Sequence, residues 1–464
     1  MVVQSEVRNV AYRWRWVALA ALLVAEAMNL LDATIVQVAA PAVHADLGGA
    51  TAGIQWFSAA YTLPFAALLV AGGRLGDRLG RKRVFTAGVA CFALASLLCA
   101  ASPDAGVLIG ARTVQGAAAA LIIPQTIGLI RAMFDGAEMA KALGWIGPVM
   151  GLSAICGPVL GSVLTHAWTW RAAFLVNVPL AAAVLGMAPA MREDRAPRPP
   201  RLDLLGTALA AAGSALVVYP LIEGDAAGRP LWTWSALAAG ALLLVLFGFH
   251  QRRTADPLVE PTLLRGRRFP AALATSTLFF AAMNGLMVVI VLQVQLGLGK
   301  DVLTAGLTLL PWSCSLAVSS WLAGTYLVPR AGTRLLFCGL ALMLTGVLTT
   351  VAVYHAAVSW PLLGALALVG TGNGLFTVPF FTAALAPVRP QETGSAAGLL
   401  NAVQQFGGTL GIAVLGTLFL HEAPGTGGTE ALRPALWAAA ALLTATAATA
   451  ALMFGNRSRP ARSR

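Results

Sequence analysis

The stretch Gly73-Arg74-Leu75-Gly76-Asp77-Arg78-Leu79-Gly80-Arg81-Lys82-Arg83 lies between two long apolar runs and carries five basic residues and one acid. Basic residues beside an apolar span are typical of the cytoplasmic side of a membrane. One interpretation is a loop that only fixes the orientation of the chain in the membrane, which requires nothing beyond these positive charges. The spaced glycines allow close backbone approach, and they favour a hinge in which the acid Asp77 makes specific contacts.

The composition indicates a polytopic membrane protein. Hydrophobic residues make up 58% of the chain, charged residues 11%, and the mean hydropathy is +0.77, whereas a soluble chain carries about 25% charged residues. A net charge of +12 would suggest nucleic-acid binding in a soluble protein. Because the basic residues lie between apolar runs, we instead expect contact with anionic membrane lipids and no nucleic-acid partner.

Fourteen apolar runs are long enough to cross a membrane, which takes about 20 residues. They lie near 16–40, 52–73, 84–102, 105–130, 140–165, 169–190, 203–222, 231–250, 269–296, 302–328, 334–354, 358–386, 394–420 and 431–455. Lysine and arginine concentrate before the first run and in alternate loops. This pattern predicts that both termini lie on the cytoplasmic side of the inner membrane.

A polar, proline-rich segment predicts how the chain is divided. The predicted units are a six-helix bundle at 1–190, a cytoplasmic linker at 191–202, a two-helix insertion at 203–251, a cytoplasmic loop at 252–268, and a second six-helix bundle with a basic tail at 269–464. No phosphate-binding loop, nucleophile elbow, zinc-binding helix motif or redox cysteine pair is visible in the sequence. We therefore predict no enzymatic activity, no metal and no cofactor.

The charged stretch resembles the signature between helices 2 and 3 of the major facilitator superfamily, G-x-L-[AG]-D-[RK]-x-G-R-[KR], and matches it at every position. The arrangement of six, two and six spans resembles the fourteen-span drug:proton antiporter branch. The resemblance implies an all-α fold with two six-helix bundles around a central cavity and two extra central helices. It also implies gating roles in this stretch for Gly73, Asp77, Arg78, Gly80 and Arg81.

In that superfamily the acid of the signature is linked to capping a helix of the other half. A helix N-terminus attracts a carboxylate. We therefore expect Asp77 to contact the start of the thirteenth span, near Thr393 and Gly394.

Charged residues inside the spans are candidates for proton coupling. Arg112 lies within the fourth span, where an arginine costs roughly 2.5–3.5 kcal/mol, and snorkelling to the outer surface is the structural alternative. The string Arg112-Thr-Val-Gln115-Gly116 resembles the superfamily motif R-x-x-Q-G, whose arginine is linked to proton coupling.

The first span contains two acids, Glu26 and Asp32. The sequence from Leu31 to Pro41 is similar to the fourteen-span signature L-D-x-T-[IV]-V-[NQ]-x-A-x-P. An intramembrane carboxylate is a candidate proton site. Asp32 could alternatively be a structural acid paired with Arg112 or an amide, and Glu26 could be a cavity acid that favours cationic substrates.

The fifth span contains two G-x-x-x-G pairs, Gly147/Gly151 and Gly157/Gly161. Glycines at this spacing let another helix pack closely, and an internal proline can kink a helix. Close packing alone would explain either pair. The span also resembles the antiporter motif G-x(6)-G-P-x-x-G: Gly157, Pro158 and Gly161 match it, while Gly151 lies one position closer to Gly157 than the motif requires. In the superfamily this motif marks exporters, and the resemblance is the main reason to expect antiport with a gating role for Gly151, Gly157, Pro158 and Gly161.

Polar and aromatic residues within the spans are candidates for substrate contact. These are Asn29, Gln115, Asn284, Trp312, Asn373, Phe376, Asn401, Gln404 and Gln405. Hydrogen bonding between helices is an equally good explanation for the amides, and aromatic residues also commonly face lipid.

The sequence and the resemblance together predict a monomeric, proton-coupled antiporter. It would export small lipophilic drugs or antibiotics by alternating access, driven by the proton gradient. The alternative is a proton-coupled symporter or a facilitator that imports a small metabolite.

Overall fold

The computed structural model describes residues 12–196, 201–224, 230–354, 358–389, 392–422 and 430–454. Within these ranges fourteen helices are long and apolar enough to cross a membrane. They are α1 (Arg15–Leu47), α2 (Gly53–Leu79), α3 (Arg81–Ala100), α4 (Ala105–Met133), α5 (Glu138–Ala167), α6 (Trp170–Ala190), α7 (Leu204–Glu223), α8 (Leu231–Arg253), α9 (Arg268–Gly297), α10 (Val302–Ala331), α11 (Arg334–Val353), α12 (Trp360–Leu385), α13 (Thr393–Glu422) and α14 (Leu432–Phe454). The predicted all-α polytopic fold with fourteen spans is confirmed.

The helices form two bundles. In the first bundle, α1–α6, helix α4 packs against α2 and α3, while α1 packs against α5. In the second bundle, α9–α14, helix α9 packs against α13 and α14, while α12 packs against α10 and α11. Helices α7 and α8 pack on each other as the insertion hairpin, and α7 also contacts α2 and α13.

Acidic residues cap three of these helices where the chain enters the apolar region. The carboxylates of Asp104, Asp203 and Asp301 accept hydrogen bonds from backbone N–H groups in the first turns of α4, α7 and α10. Such a cap satisfies a donor that has no partner within the helix. Hydrogen bonds from Thr304 also hold the pKa of the Asp301 carboxyl below its usual value.

A sharp turn separates α2 from α3 within the charged stretch. Gly80 has φ of 104°, which a side chain would strain. A Cβ at this position would also lie 2.7 Å from the carboxylate of Glu193. The glycine therefore lets the chain reverse while the segment after α6 packs against it.

The polar contacts between the two bundles are concentrated in one half of the molecule. We call the end that carries the charged stretch the inner end and the opposite end the outer end. Within the described residues, the side-chain hydrogen bonds and ion pairs that join the two bundles all lie in the outer half. These are Gln37–Asn284, Gln55–Thr417, Thr62–Thr409, Gln295–Val38 and His166–Asp301. The outer end is therefore the closed end in this conformation.

Candidate functional site

An ion pair between α1 and α4 lies within the first bundle. Arg112 is fully buried, and its Nη1 lies 2.5 Å from Oδ2 of Asp32. The same nitrogen donates to Oε1 of Gln115 at 2.7 Å, and Nε donates to the carbonyl of Phe57 at 2.9 Å. Arg112 therefore does not extend to the outer surface, and the snorkelling alternative is excluded in this conformation.

The Asp32 carboxylate accepts hydrogen bonds from three side chains. Besides Arg112, it accepts from Nε2 of Gln115 at 2.9 Å and from Nδ2 of Asn177 at 2.7 Å. Gln115 also donates to Oγ of Ser96 at 2.9 Å. Asn177 on α6 and Ser96 on α3 extend this buried cluster to four helices. A buried ion pair is tolerated when such additional hydrogen bonds complete it.

The residues predicted from the sequence did not include Asn177, Ser96 or Tyr61. Asn177 offered a usable signal, because an asparagine inside an apolar span needs hydrogen-bond partners. Nothing in its sequence position identified Asp32, 145 positions away, as that partner.

Tyr61 connects the buried ion pair to a central cavity. Its ring lies 4.3 Å from Cζ of Arg112, a distance suited to a cation–π contact. Its hydroxyl donates to Oδ1 of Asn29 at 3.1 Å, and both side chains line the cavity. Tyr61 therefore contacts both the buried ion pair and a side chain that lines the cavity.

The cavity lies between the two bundles and has a volume of about 320 Å³. Its lining contains one acid, Glu26, and no basic residue. Seven of the predicted substrate-contact residues line it: Asn29, Asn284, Trp312, Asn373, Asn401, Gln404 and Gln405. The structure thus brings polar side chains from both bundles to one space.

The three amides of α13 differ from the paired amides of the first bundle. Among the described residues, the side chains of Asn401, Gln404 and Gln405 make no hydrogen bond. The hydrogen bonding between helices that could have explained them is therefore not present in this conformation. Their amide groups are available to the cavity.

Gln115 and Phe376 do not line the cavity, contrary to expectation. Gln115 is fully buried between Asp32 and Ser96. Phe376 is also fully buried, and its ring stacks on Phe279 at 4.0 Å. Both side chains point into their own bundle. Helix packing determines which residues of a helix face the cavity, and the residue type alone does not reveal this.

The two acids of α1 have different surroundings. Glu26 lines the cavity, and no basic side chain of the described residues lies within 4.0 Å of it. Asp32 does not line the cavity and is fully buried beside Arg112. Of the two, only Glu26 faces space that a substrate or water could occupy.

The glycines of the antiporter motif hold α5 between the two bundles. A Cβ on Gly157 would lie 1.9 Å from Oγ1 of Thr34, and one on Gly161 would lie 2.9 Å from the backbone of Ile35, so both face α1. Gly151 faces α10, where its nearest neighbour is Ala317 at 3.8 Å.

The face of α5 that carries Gly151 also packs against a glycine of the second bundle. A Cβ on Gly306 of α10 would lie 2.8 Å from the carbonyl of Pro158 and 2.2 Å from Oγ of Ser162. The motif region thus lies at the contact that closes the outer end.

In this conformation, Asp77 and Arg81 of the charged stretch bond to each other and to the segment that follows α6. Oδ1 of Asp77 accepts from Nη2 of Arg81 at 2.7 Å, and Nη1 of Arg81 donates to Asp194 at 2.9 Å. Gly73 packs beside Pro124 and Arg78 is exposed.

The expected contact of Asp77 with the start of α13 is not formed among the described residues. The physical reason is that the described polar contacts between the bundles all lie in the outer half. A contact between Asp77 and α13 would require the two bundles to close at the inner end.

Glu223, an acid at the outer end of α7, accepts a hydrogen bond from Nε1 of Trp56 on α2 at 2.6 Å.

Comparison with known proteins connects this geometry to a family. Residues 22–412 match the family model described as Major Facilitator Superfamily. The chain is 43% identical over 421 residues to a probable actinorhodin transporter of Streptomyces coelicolor, covering 88% of this chain and 73% of that protein. It is 37% identical over 415 residues to the puromycin resistance protein pur8 of Streptomyces alboniger, covering 87% and 82%.

A similar fold occurs in the crystal structure of an auto inhibited POT family peptide transporter. The TM-score is 0.68, and the match covers 96% of this chain and 98% of that one. At 16% sequence identity, the likeness concerns the fold alone.

Proposed function

Because the chain belongs to the Major Facilitator Superfamily, we propose that it exports antibiotic-like small molecules across the cytoplasmic membrane in exchange for protons. As a family member it is a multi-pass membrane transporter of small molecules and not an enzyme. The names of two relatives refer to the antibiotics actinorhodin and puromycin, which supports export of such compounds. In this proposal the inner end faces the cytoplasm, as the distribution of basic residues favours.

The observation that carries the proposal is the contrast between the two acids of α1. Glu26 faces a substrate-sized cavity without a basic partner, while Asp32 is held in the ion pair with Arg112. Glu26 is therefore the group we assign to exchange a proton with the cavity. The contacts from Asn29 through Tyr61 to Arg112 couple the charge at the cavity to the buried pair.

The proposed cycle uses the proton gradient to drive release. In the inward-facing state, substrate enters from the inner end and Glu26 releases its proton to the cytoplasm. After the outer end opens, a proton from outside binds Glu26 and substrate leaves. Each entering proton supplies roughly 2.3 kcal/mol per 100 mV of membrane potential, in addition to the pH difference. In such folds, the two bundles generally open in turn at the inner and the outer end, around a fixed binding site.

The cavity favours particular substrates. Its volume of about 320 Å³ lies at the lower end of the range for ligand pockets. One acid, several amides and an indole line it, and no basic residue does. We therefore expect neutral or cationic amphipathic molecules to be accepted and anionic ones to be rejected.

Proton movement in sealed proteoliposomes tests the proposal. Vesicles with an imposed pH gradient would receive puromycin or a lipophilic cation, and the internal pH would be followed for wild type, Glu26→Gln and Asp135→Asn. We expect both compounds to dissipate the gradient with wild type and with Asp135→Asn, whose exposed acid lies outside the site, but not with Glu26→Gln. Substrate flux without proton movement would indicate a facilitator, and substrate moving in the same direction as the proton would indicate the symport alternative.

A further inference from the structure

The insertion hairpin has no role in the transport cycle described above. Its first helix, α7, lies against α2 of the first bundle and α13 of the second. Buried apolar residues from all three helices meet there, and we call this cluster the outer seam: Ala59 on α2, Val218 and Ile222 on α7, and Ala413 on α13. Because the seam crosses the boundary between the bundles, α7 must separate from one of them when the outer end opens.

At the inner end, one arginine fastens the hairpin to the first bundle. Nη1 of Arg74 on α2 donates to the carbonyl of Arg201 at 3.0 Å and to that of Asp256 at 2.7 Å, and Nη2 donates to the carbonyl of Pro257. Arg201 precedes α7, whereas Asp256 and Pro257 follow α8. A single guanidinium therefore holds both ends of the hairpin to α2, through hydrogen bonds that its charge strengthens.

At the outer end, a second contact that involves a charged group joins α2 and α7. The Glu223 carboxylate accepts from the Trp56 indole at 2.6 Å, and the ring of Trp56 lies 5.8 Å from that of Tyr219. Trp56 and Arg74 are about 27 Å apart along α2, at a rise of 1.5 Å per residue. The hairpin is thus docked on the first bundle near both membrane surfaces.

The hairpin is also joined to the second bundle. Beyond α8, Oγ1 of Thr262 donates to the Glu392 carboxylate, just before α13, at 2.9 Å. Among the described residues, the one hydrogen bond between the hairpin helices themselves and α9–α14 runs from Oγ1 of Thr417 on α13 to the carbonyl of Leu221 on α7 at 3.0 Å, and both groups are uncharged. The same hydroxyl also contacts the side-chain amide of Gln55 on α2, so Thr417 bonds to α2 and α7 together.

We propose that the hairpin moves with the first bundle and that the outer end of α7 is part of the outer gate. In this arrangement α2 and α7 form one surface, and α13 closes against it through Thr417 and the outer seam. Opening of the outer end breaks the bonds of Thr417 to Leu221 and Gln55. The contacts of Arg74 and Glu223 persist, because both of their partners lie on the same moving body.

Distances between spin labels, measured by pulsed electron paramagnetic resonance, test this proposal. The labels would replace three exposed residues at the outer end: Ala50 in the first bundle, Leu231 at the start of α8, and Arg433 in the second bundle. The five native cysteines would first be replaced by serine or alanine. The Ala50–Arg433 distance reports whether the outer end is open.

We expect the substitution Gly306→Trp to open the outer end without any substrate, because a Cβ at this position would already lie 2.2 Å from Oγ of Ser162 on α5. We expect the Ala50–Arg433 and Leu231–Arg433 distributions to shift to longer distances and the Ala50–Leu231 distribution to stay unchanged. The control is Gly364→Trp, since no atom lies within 4 Å of a Cβ at that position. A shifted Ala50–Leu231 distance would overturn the proposal, whether or not the Leu231–Arg433 distance also changes.

A second measurement decides the question if Gly306→Trp does not fold. In the protein without this substitution, Arg74→Ala and Glu223→Ala should each broaden the Ala50–Leu231 distribution, because each removes one docking contact. Arg252→Ala, at an exposed arginine of α8, should leave it narrow. Narrow distributions in both docking variants would show that these contacts do not hold the hairpin. Neither measurement uses proton coupling, so its result is independent of the proposed export function.

Discussion

The two bundles bury polar side chains in different ways. The first bundle holds a fully buried ion pair, Asp32–Arg112, whose hydrogen bonds are completed by Gln115 and Asn177. The amides of the second bundle, such as Asn373 and Gln404, are uncharged and line the cavity. In the proposed mechanism, the first bundle carries the charged groups and the second provides uncharged hydrogen-bonding groups for substrate.

The energetics of the two arrangements differ accordingly. Removing one partner of a buried ion pair leaves a buried charge without compensation and is costly. An uncharged amide that faces a cavity can be removed with little effect on folding, because water or substrate is its alternative partner. Mutations should therefore act through stability in the first bundle and through affinity in the second.

The largest effect is expected for Arg112→Ala. The substitution leaves Asp32 buried without its cation, which should destabilise the protein by about 3–5 kcal/mol and abolish export. Thermal unfolding in detergent and export from cells would measure the two effects. The double variant Asp32→Asn with Arg112→Gln is the control, since it removes both charges and should recover most of the stability but no export. If Arg112→Ala alone were as stable as wild type, the ion pair would not support the first bundle.

Asn177→Ala should produce a smaller loss of stability within the same cluster. It removes one of the donors to the Asp32 carboxylate, and a hydrogen bond to a charged group contributes about 1.5–3 kcal/mol. The matched control is Asn373→Ala, an asparagine that lines the cavity in the second bundle. Equal melting temperatures for the two variants would contradict the difference between the bundles.

Glu26→Gln should separate transport from folding. Because Glu26 has no ion-pair partner among the described residues, we expect a melting temperature close to that of wild type. Proton-driven export should nevertheless fall to the level of empty vesicles. Uptake of a labelled substrate into inverted vesicles would check this, and normal uptake would assign the proton to another group.

The smallest effects are expected for Asn401→Ala and Gln404→Ala in the second bundle. Each removes one cavity amide, so affinity for a bound substrate should change by about 0.5–1.5 kcal/mol, which corresponds to about two- to tenfold in Kd. Stability should be unaffected. Equilibrium binding of puromycin to purified protein would measure the change, with Arg252→Ala as the control. A large loss of stability would mean that these amides are structural after all.

Much of the fold could be predicted from the sequence, because the signals were local. Each span needs a run of about 20 apolar residues, and the alternation of basic loops supported their number. The candidate site was predictable only in part. Polar residues inside spans identified Asp32, Arg112 and Glu26, yet the sequence ranked Gln115 and Phe376 together with the true cavity-lining residues. Their orientation depends on how neighbouring helices pack, and that information is not local.

The sequence by itself determined that this chain crosses a membrane fourteen times and that charged groups lie inside it, since both follow from apolar length and residue type. Only the tertiary structure decided which acid faces the cavity, that Asn177 completes the ion pair, and that Arg74 and Glu223 dock the hairpin on α2. These outcomes depend on contacts between residues far apart in the chain. They are set when helices choose their neighbours and their rotation, because buried polar groups must then find partners across helices.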